Sequence, residues 1–158
     1  MSGANEKFVG RSITAFYSLS QDRDNVPNDF VRLGSLRDKS FGPEWETVDS
    51  TADTSAGDVR EYLVTYKNFN PSLSGVVSND DADNQKALEI HINNPPNSQP
   101  CGWLRLVRPL SATQNRVYEI FVVFTSYAIE STYDDVVTFS METLNSGAGV
   151  IITDVTAP

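Results

Sequence analysis

Apolar and polar residues alternate with a period of two through most of this chain, the signature of strands with one buried face. In residues 61–67, Tyr62, Val64 and Tyr66 fall on one side, while Glu61, Thr65 and Lys67 lie mainly on the other. In residues 137–142, Val137, Phe139 and Met141 oppose Thr138, Ser140 and Glu142. The same reading predicts strands at residues 13–19, 30–37, 45–49, 72–78, 103–107 and 149–155. Residues 117–127 break the rule, because Phe121 and Val123 on one side are matched by Ile120, Val122 and Phe124 on the other. A strand that is apolar on both faces has to be covered twice, by a second layer or by another subunit.

One segment carries a helical pattern instead. Residues 80–92 offer Asn79 or Asp80 as a cap and Asp80, Asp81 and Asp83 at the positive end of the helix dipole. Ala87, Leu88 and His91 then share a face, and Pro95 and Pro96 stop the helix. Strands around one helix predict a mainly β fold, a two-sheet β-sandwich or barrel with one flanking α-helix. At 158 residues the chain suits a single domain. Residues 1–11 read as a polar N-terminal arm. Residues 49–58 read as a polar loop longer than a usual hairpin connection.

Composition adds a core and a charge. Eight Phe, six Tyr and two Trp exclude a wholly disordered chain. Twenty-one acids against twelve bases leave a net charge of −9, which repels nucleic acid and argues against a gripping DNA or RNA binder. Arg105 and Arg108 are too few to make a basic stripe. Cys101 is the only cysteine, so no disulfide forms within the chain. The first ten residues lack a basic start followed by an apolar run, so no secretory signal is read, and no apolar window is long enough to span a membrane. The expectation is a product of the cytoplasm with no membrane partner.

Catalytic and metal chemistry find little support. His91 is the only histidine and falls within the helix; with Cys101 it makes a dyad on paper, but the surroundings of Cys101 match no nucleophile motif. A calcium loop starting at Asp81 fails, because Lys86 stands where glycine is required and Ile92 where glutamate is required. Phosphate-cradling and nucleophile-elbow motifs are absent from the sequence. No enzyme activity, catalytic residue, cofactor or metal is therefore expected. Trp45 and Trp103 suggest a sugar-stacking platform on a β-sandwich, although both fit core or interface positions on strands.

The order of features resembles a known family. A glycine-bearing strand leads into a strand ending in Val48-Asp49-Ser50-Thr51 and a long polar loop. Residues 57–77 then give a strand, a turn and a strand carrying Ser72-Leu73-Ser74-Gly75, followed by the acidic helix start at residues 81–88. Residues 119–147 supply a strand, a turn, the pair Asp134 and Asp135, another strand and a closing glycine. This order is similar to that of the tail tube proteins of long-tailed bacteriophages.

The resemblance implies the phage tail tube fold, with copies assembling into hexameric rings that stack into a hollow tube for DNA. It implies that residues 49–58 contact the adjacent ring, with Asp49, Ser50, Thr51, Asp53 and Asp58 as candidates. Residues 150–158 would serve as a C-terminal arm. Ile120, Val122 and Phe124 become candidates for a subunit interface, and Glu44, Glu46, Glu61, Glu119 and Glu142 for acids facing the lumen. Implied partners are other copies, tail initiator or baseplate, tape measure and tail terminator proteins. DNA would pass without sequence-specific binding, and the protein would reside in the virion tail. The inner tube of a contractile tail or related secretion system, and a carbohydrate- or receptor-binding β-sandwich, are the rival readings. In either case Asp134 and Asp135 are expected to shape a turn, not a catalytic pair.

Overall fold

The computed structural model describes residues 13–52, 60–147 and 149–157. These form strands β1 (Thr14–Ser18), β2 (Val31–Leu33), β3 (Leu36–Ser40), β4 (Pro43–Asp49) and β5 (Tyr62–Phe69). After β6 (Ser72–Val76) and helix α1 (Gln85–Asn93) come β7 (Cys101–Pro109), β8 (Gln114–Glu130), β9 (Thr138–Asn145) and β10 (Ile151–Thr156). The fold is mainly β with one flanking α-helix among the described residues, as the alternation predicts. Residues 30–37, expected as one strand, are divided between β2 and β3. Ser35 between them adopts φ 59°, a left-handed conformation that an extended strand does not accommodate.

Eight strands make one antiparallel sheet in the order β2-β1-β7-β8-β9-β6-β3, with β10 also paired to β8; β4 and β5 form a separate two-stranded sheet. The edges of the large sheet, β2 and β3, are consecutive in the chain and joined by Gly34 and Ser35. The sheet therefore curls back on itself. Leu33 near one edge and Leu73 near the other belong to the same core cluster. The 17-residue β8 is the spine: β7 lies along one side, while β10 and then β9 share the other. The expected C-terminal arm is thus in part a sheet strand. Asp154 on β10 is fixed to Arg116 on β8 by two hydrogen bonds of 2.8 and 3.2 Å.

The interior is filled by the inward residues of the curled sheet, including Tyr17, Leu104, Leu106, Ile120, Val122 and Met141, with Leu88 of α1 added from the side. Burying each such side chain contributes about 1.5–3 kcal/mol. The outward face of β8 is covered as well. Phe121 packs with Cys101 and Trp103, and the Trp103 indole donates to the Asp22 carbonyl at 2.9 Å. This corrects the interface expectation for Ile120, Val122 and Phe124. They are 0%, 0% and 2% exposed in the single chain, so no surface is left on them for a neighbour to bury.

Helix α1 begins later than the acids suggest. Asp81–Asp83 is a separate 3-10 turn capped by the Asp80 carboxylate, which accepts from the Ala82 amide at 3.0 Å. Asn84, at φ 59°, then interrupts the helical path before α1. The buried helix face is Gln85, Leu88 and His91, while Ala87 points to solvent. His91 Nε2 donates to the Cys101 carbonyl at 2.7 Å, so the two residues meet through the backbone and not through the thiol. Burial pushes the Cys101 thiol above its ordinary value.

Gln85 locks the closure of the sheet. Its amide nitrogen donates to the Gly34 and Val76 carbonyls, both at 3.0 Å, and its oxygen accepts from the Ser78 amide at 2.9 Å. Asp83 adds to the same lock, its carbonyl accepting from the Gly34 amide at 2.9 Å. Hydrogen bonds from Ser78 and then Ser35 hold the Asp83 carboxyl below its usual range. The approach is close enough that a Cβ on Gly34 would strike the Asp83 side chain, and one on Gly75 the Ser35 carbonyl.

Candidate assembly surfaces

Strands β4 and β5 pair with each other and with no strand of the large sheet. Their root is anchored by Phe69, whose ring centroid lies 6.2 Å from Phe41 and 6.1 Å from Tyr118. Beyond that root the ribbon is exposed on both faces: Trp45, Val48, Tyr62, Leu63 and Val64 all meet solvent, and Tyr66 is 71% exposed. An isolated two-stranded ribbon is marginal in water. Contiguous exposed apolar surface of this kind marks an interaction site.

The far end of the ribbon contains the residues expected to form the inter-ring loop. Ser50 donates to the Glu61 carbonyl at 2.8 Å, and the Glu61 amide donates to Thr51 Oγ1 at 2.8 Å. The Thr51 amide in turn donates to Asp49 Oδ1 at 2.9 Å, and the hydrogen bonds from Thr51 hold the Asp49 carboxyl below its usual range. Asp49, Ser50 and Thr51 therefore shape the closing end of a projecting hairpin. Asp53 and Asp58 lie outside the described residues, as do residues 1–11 of the expected arm.

Where the ribbon leaves the body it forms one wall of a groove of about 800 Å³. Phe41, Trp45, Phe69 and Tyr118 give the groove an aromatic lining, and Lys67 and Arg108 give it positive charge. Lys67 Nζ sits 5.7 Å from the Trp45 ring centroid, and Arg108 Nε donates to the Tyr118 hydroxyl at 3.2 Å. Lys39 also borders the groove, its amine pushed below the ordinary value by burial and by the charge of Arg32. Among the described residues, none of the lining side chains is acidic. Sequence reasoning missed this groove because its walls come from five distant stretches of chain.

At the other end of β8, the turn to β9 projects into solvent. The Asp135 amide donates to the Thr132 carbonyl at 3.2 Å, and Asp135 Oδ1 accepts from the Val136 amide at 2.7 Å. Asp134 and Asp135 thus sit in a turn, as expected. Tyr133 beside them is 99% exposed, and Ile129, Val136 and Val137 are exposed around it. A tyrosine adjoining two acids between strands was the available signal for this tip.

The acids expected to face a lumen are divided between the ribbon and the large sheet. Glu44 and Glu46 on β4 and Glu61 at the start of β5 belong to the exposed ribbon, and Glu142 is exposed on β9. Glu119 departs from the expectation of a free acid: its carboxylate is paired with Arg105 at 2.8 Å and its side chain is mostly buried. That pair lies on the outer sheet face, where Arg105 also sits 4.0 Å from the Phe30 ring centroid. Among the described residues, no group of three or more His, Cys, Asp or Glu is placed to hold a metal ion. Among the described residues, no helix is long and apolar enough to cross a membrane.

The same architecture occurs in solved tail structures. A chain in the tail of an empty gene transfer agent particle, refined with C6 symmetry, superposes with a TM-score of 0.70 at 18% identity, covering 93% of this chain and 99% of that one. A chain of the SPP1 tail tube gives a TM-score of 0.66 at 12% identity, covering 92% and 78% respectively. A chain from an extracellular contractile injection system, PVC, gives 0.63 at 9% identity, covering 96% and 99%. No protein-family model and no curated protein matches this sequence. The chain has the fold found in phage-type tail tubes.

Proposed function

We propose that this protein is the structural subunit of a phage-type tail tube, assembling into hexameric rings that stack into a hollow conduit for DNA. The observation that carries the reading is the β4–β5 ribbon: on a fold shared with a C6-symmetric tail, it exposes apolar residues on both faces and pairs with no other strand among the described residues. Packing the ribbon against a neighbouring subunit would bury that surface and remove an exposed edge. Its closing end, with Asp49, Ser50 and Thr51, reaches toward the adjacent ring in this reading. A net charge of −9 suits a conduit wall that repels DNA and so lets it slide.

Of the five acids considered for the lumen, Glu142 is the one we assign there, because it alternates with buried Met141 and Thr143 on a sheet strand. Glu119 is neutralised by Arg105 and is removed from the set. The protein would be made in the host cytoplasm and end in the virion tail, meeting initiator or baseplate, tape measure and terminator proteins there. The likeness to a chain of a contractile injection system supports a second form of the same reading, an inner tube within a sheath.

Negative-stain electron microscopy of the concentrated protein tests the proposal. Six-fold rings and hollow tubes are the expected result. A protein that stays monomeric at every concentration, and whose ribbon variants behave in solution as wild type does, overturns it.

A further inference from the structure

We propose that successive rings are joined by the β8–β9 turn of one copy seated in the aromatic groove of a second copy. The proposal rests on the tube reading above. Two observations on the molecule support it.

The surfaces are chemically complementary. The groove offers aromatic rings from Phe41, Trp45 and Tyr118 and the cations Lys67 and Arg108, with no acid among its described lining residues. The turn offers the reverse set: the 99% exposed Tyr133 ring flanked by Asp134 and Asp135. Tyr133 would enter among the rings in edge-to-face or offset contacts, its hydroxyl free to reach polar atoms at the rim. The two carboxylates would meet Lys67 and Arg108, which are already held against Trp45 and Tyr118. Charge pairs positioned this way fix register and reject wrong partners.

The surfaces are also placed for stacking. Tyr118, in the groove, and Glu130, at the base of the turn, lie twelve residues apart on the same strand. At about 3.3 Å per residue, that separates them by roughly 40 Å along β8. A patch at one end of a strand that fits a patch at the other end of a second copy makes a head-to-tail contact. Such a contact repeats without closing and extends the assembly along a line. Because Trp45 and Lys67 belong to the ribbon, a seated turn would also cover part of the ribbon's exposed face.

The test is a charge exchange read by electron microscopy and sedimentation. Asp134→Lys with Asp135→Lys should leave rings and abolish long tubes, and Lys67→Glu with Arg108→Glu should do the same. All four changes in one chain should restore tubes. A chain carrying Asp135→Cys and Lys67→Cys should give a ladder of disulfide-linked multimers under mild oxidation of assembled protein, since Cys101 is buried and does not compete. The thermal melt of the turn variant should match that of wild type, because Tyr133, Asp134 and Asp135 are exposed.

If wild type makes tubes and the Asp134/Asp135 reversal makes them equally well, this docking is wrong while the tube reading stands. If both reversals block stacking but the exchange neither restores tubes nor yields the ladder, the groove holds some other partner and the proposal is overturned. If wild type makes neither rings nor tubes and its ribbon variants behave in solution as wild type does, the tube reading itself falls, and this contact with it.

Discussion

Strands β9 and β5 are eight residues long each and carry much the same alternation, yet they have opposite fates. On β9, Phe139 and Met141 are buried between β6 and β8 of the curled sheet, and every second residue meets solvent. On β5, Tyr62, Val64 and Tyr66 repeat the pattern, but the strand pairs only with β4 and stays exposed on both faces until Phe69. Periodicity thus declares that a face is to be covered. It does not declare by what. In β9 the cover comes from the same chain, and in β5 none of the described residues supplies it.

Several changes would break or sharpen this contrast. The largest effect is expected at Phe139, which is buried and stacked on Tyr127 at 5.2 Å between ring centroids. Phe139→Ala should destabilise the fold by about 3–5 kcal/mol in urea unfolding, as for buried aromatics generally. A loss under about 1 kcal/mol would mean that β9 is no more buried in solution than the ribbon. Next comes Gln85→Leu, which leaves the Gly34 and Val76 carbonyls and the Ser78 amide without their partner at the sheet closure. A loss of about 1–3 kcal/mol is expected, the range for unsatisfied buried polar groups.

A pH-dependent effect follows from Tyr127. Burial, assisted by the charge of Glu89, pushes its hydroxyl from 10.0 up to about 12. A raised value in the folded state means that this group's stabilisation is complete below about pH 10 and is lost as pH rises through about 12. Tyr127→Phe should therefore flatten the alkaline fall in stability between those limits, with little change at neutral pH. An unchanged alkaline limb in the variant would place Tyr127 in water.

The smallest effects on the subunit are expected where the chain is exposed. Val64→Ser with Tyr66→Ser should change unfolding stability by less than about 0.5 kcal/mol, while preventing rings and tubes. Glu142→Lys should be equally mild, and a collapse in its stability would refute the exposed position on β9. If the ribbon variant instead unfolded like Phe139→Ala, the division between the two regions would disappear.

Much of the fold was legible because alternation survives whatever lies on the other side of a strand. The expected strands and helix all appear in the described residues. Alternation does not show which part of the chain covers a given face. Ile120, Val122 and Phe124 looked like surplus apolar surface, but the segment around Asp22 and Phe30 covers the reverse face of β8, and nothing in its sequence announces that role. The helix start was misplaced because Asp80, Asp81 and Asp83 suit the first turn of any helix, whereas the left-handed Asn84 detaches them into a turn of their own. The groove escaped notice because Phe41, Lys67, Tyr118 and their neighbours converge only through the sheet topology.

The long spine β8 has a mechanical consequence. A pull along its axis loads the hydrogen bonds to β7, β9 and β10 sideways, so many must yield together before the strand slides. The β4–β5 ribbon, pulled apart from its closing end, would give way one pair at a time. If load enters a subunit at the two ends of β8, the stiffest path through the molecule is a single extended strand, held by β7 and β10 in its first half and by β9 in its second, acting as a tie rod.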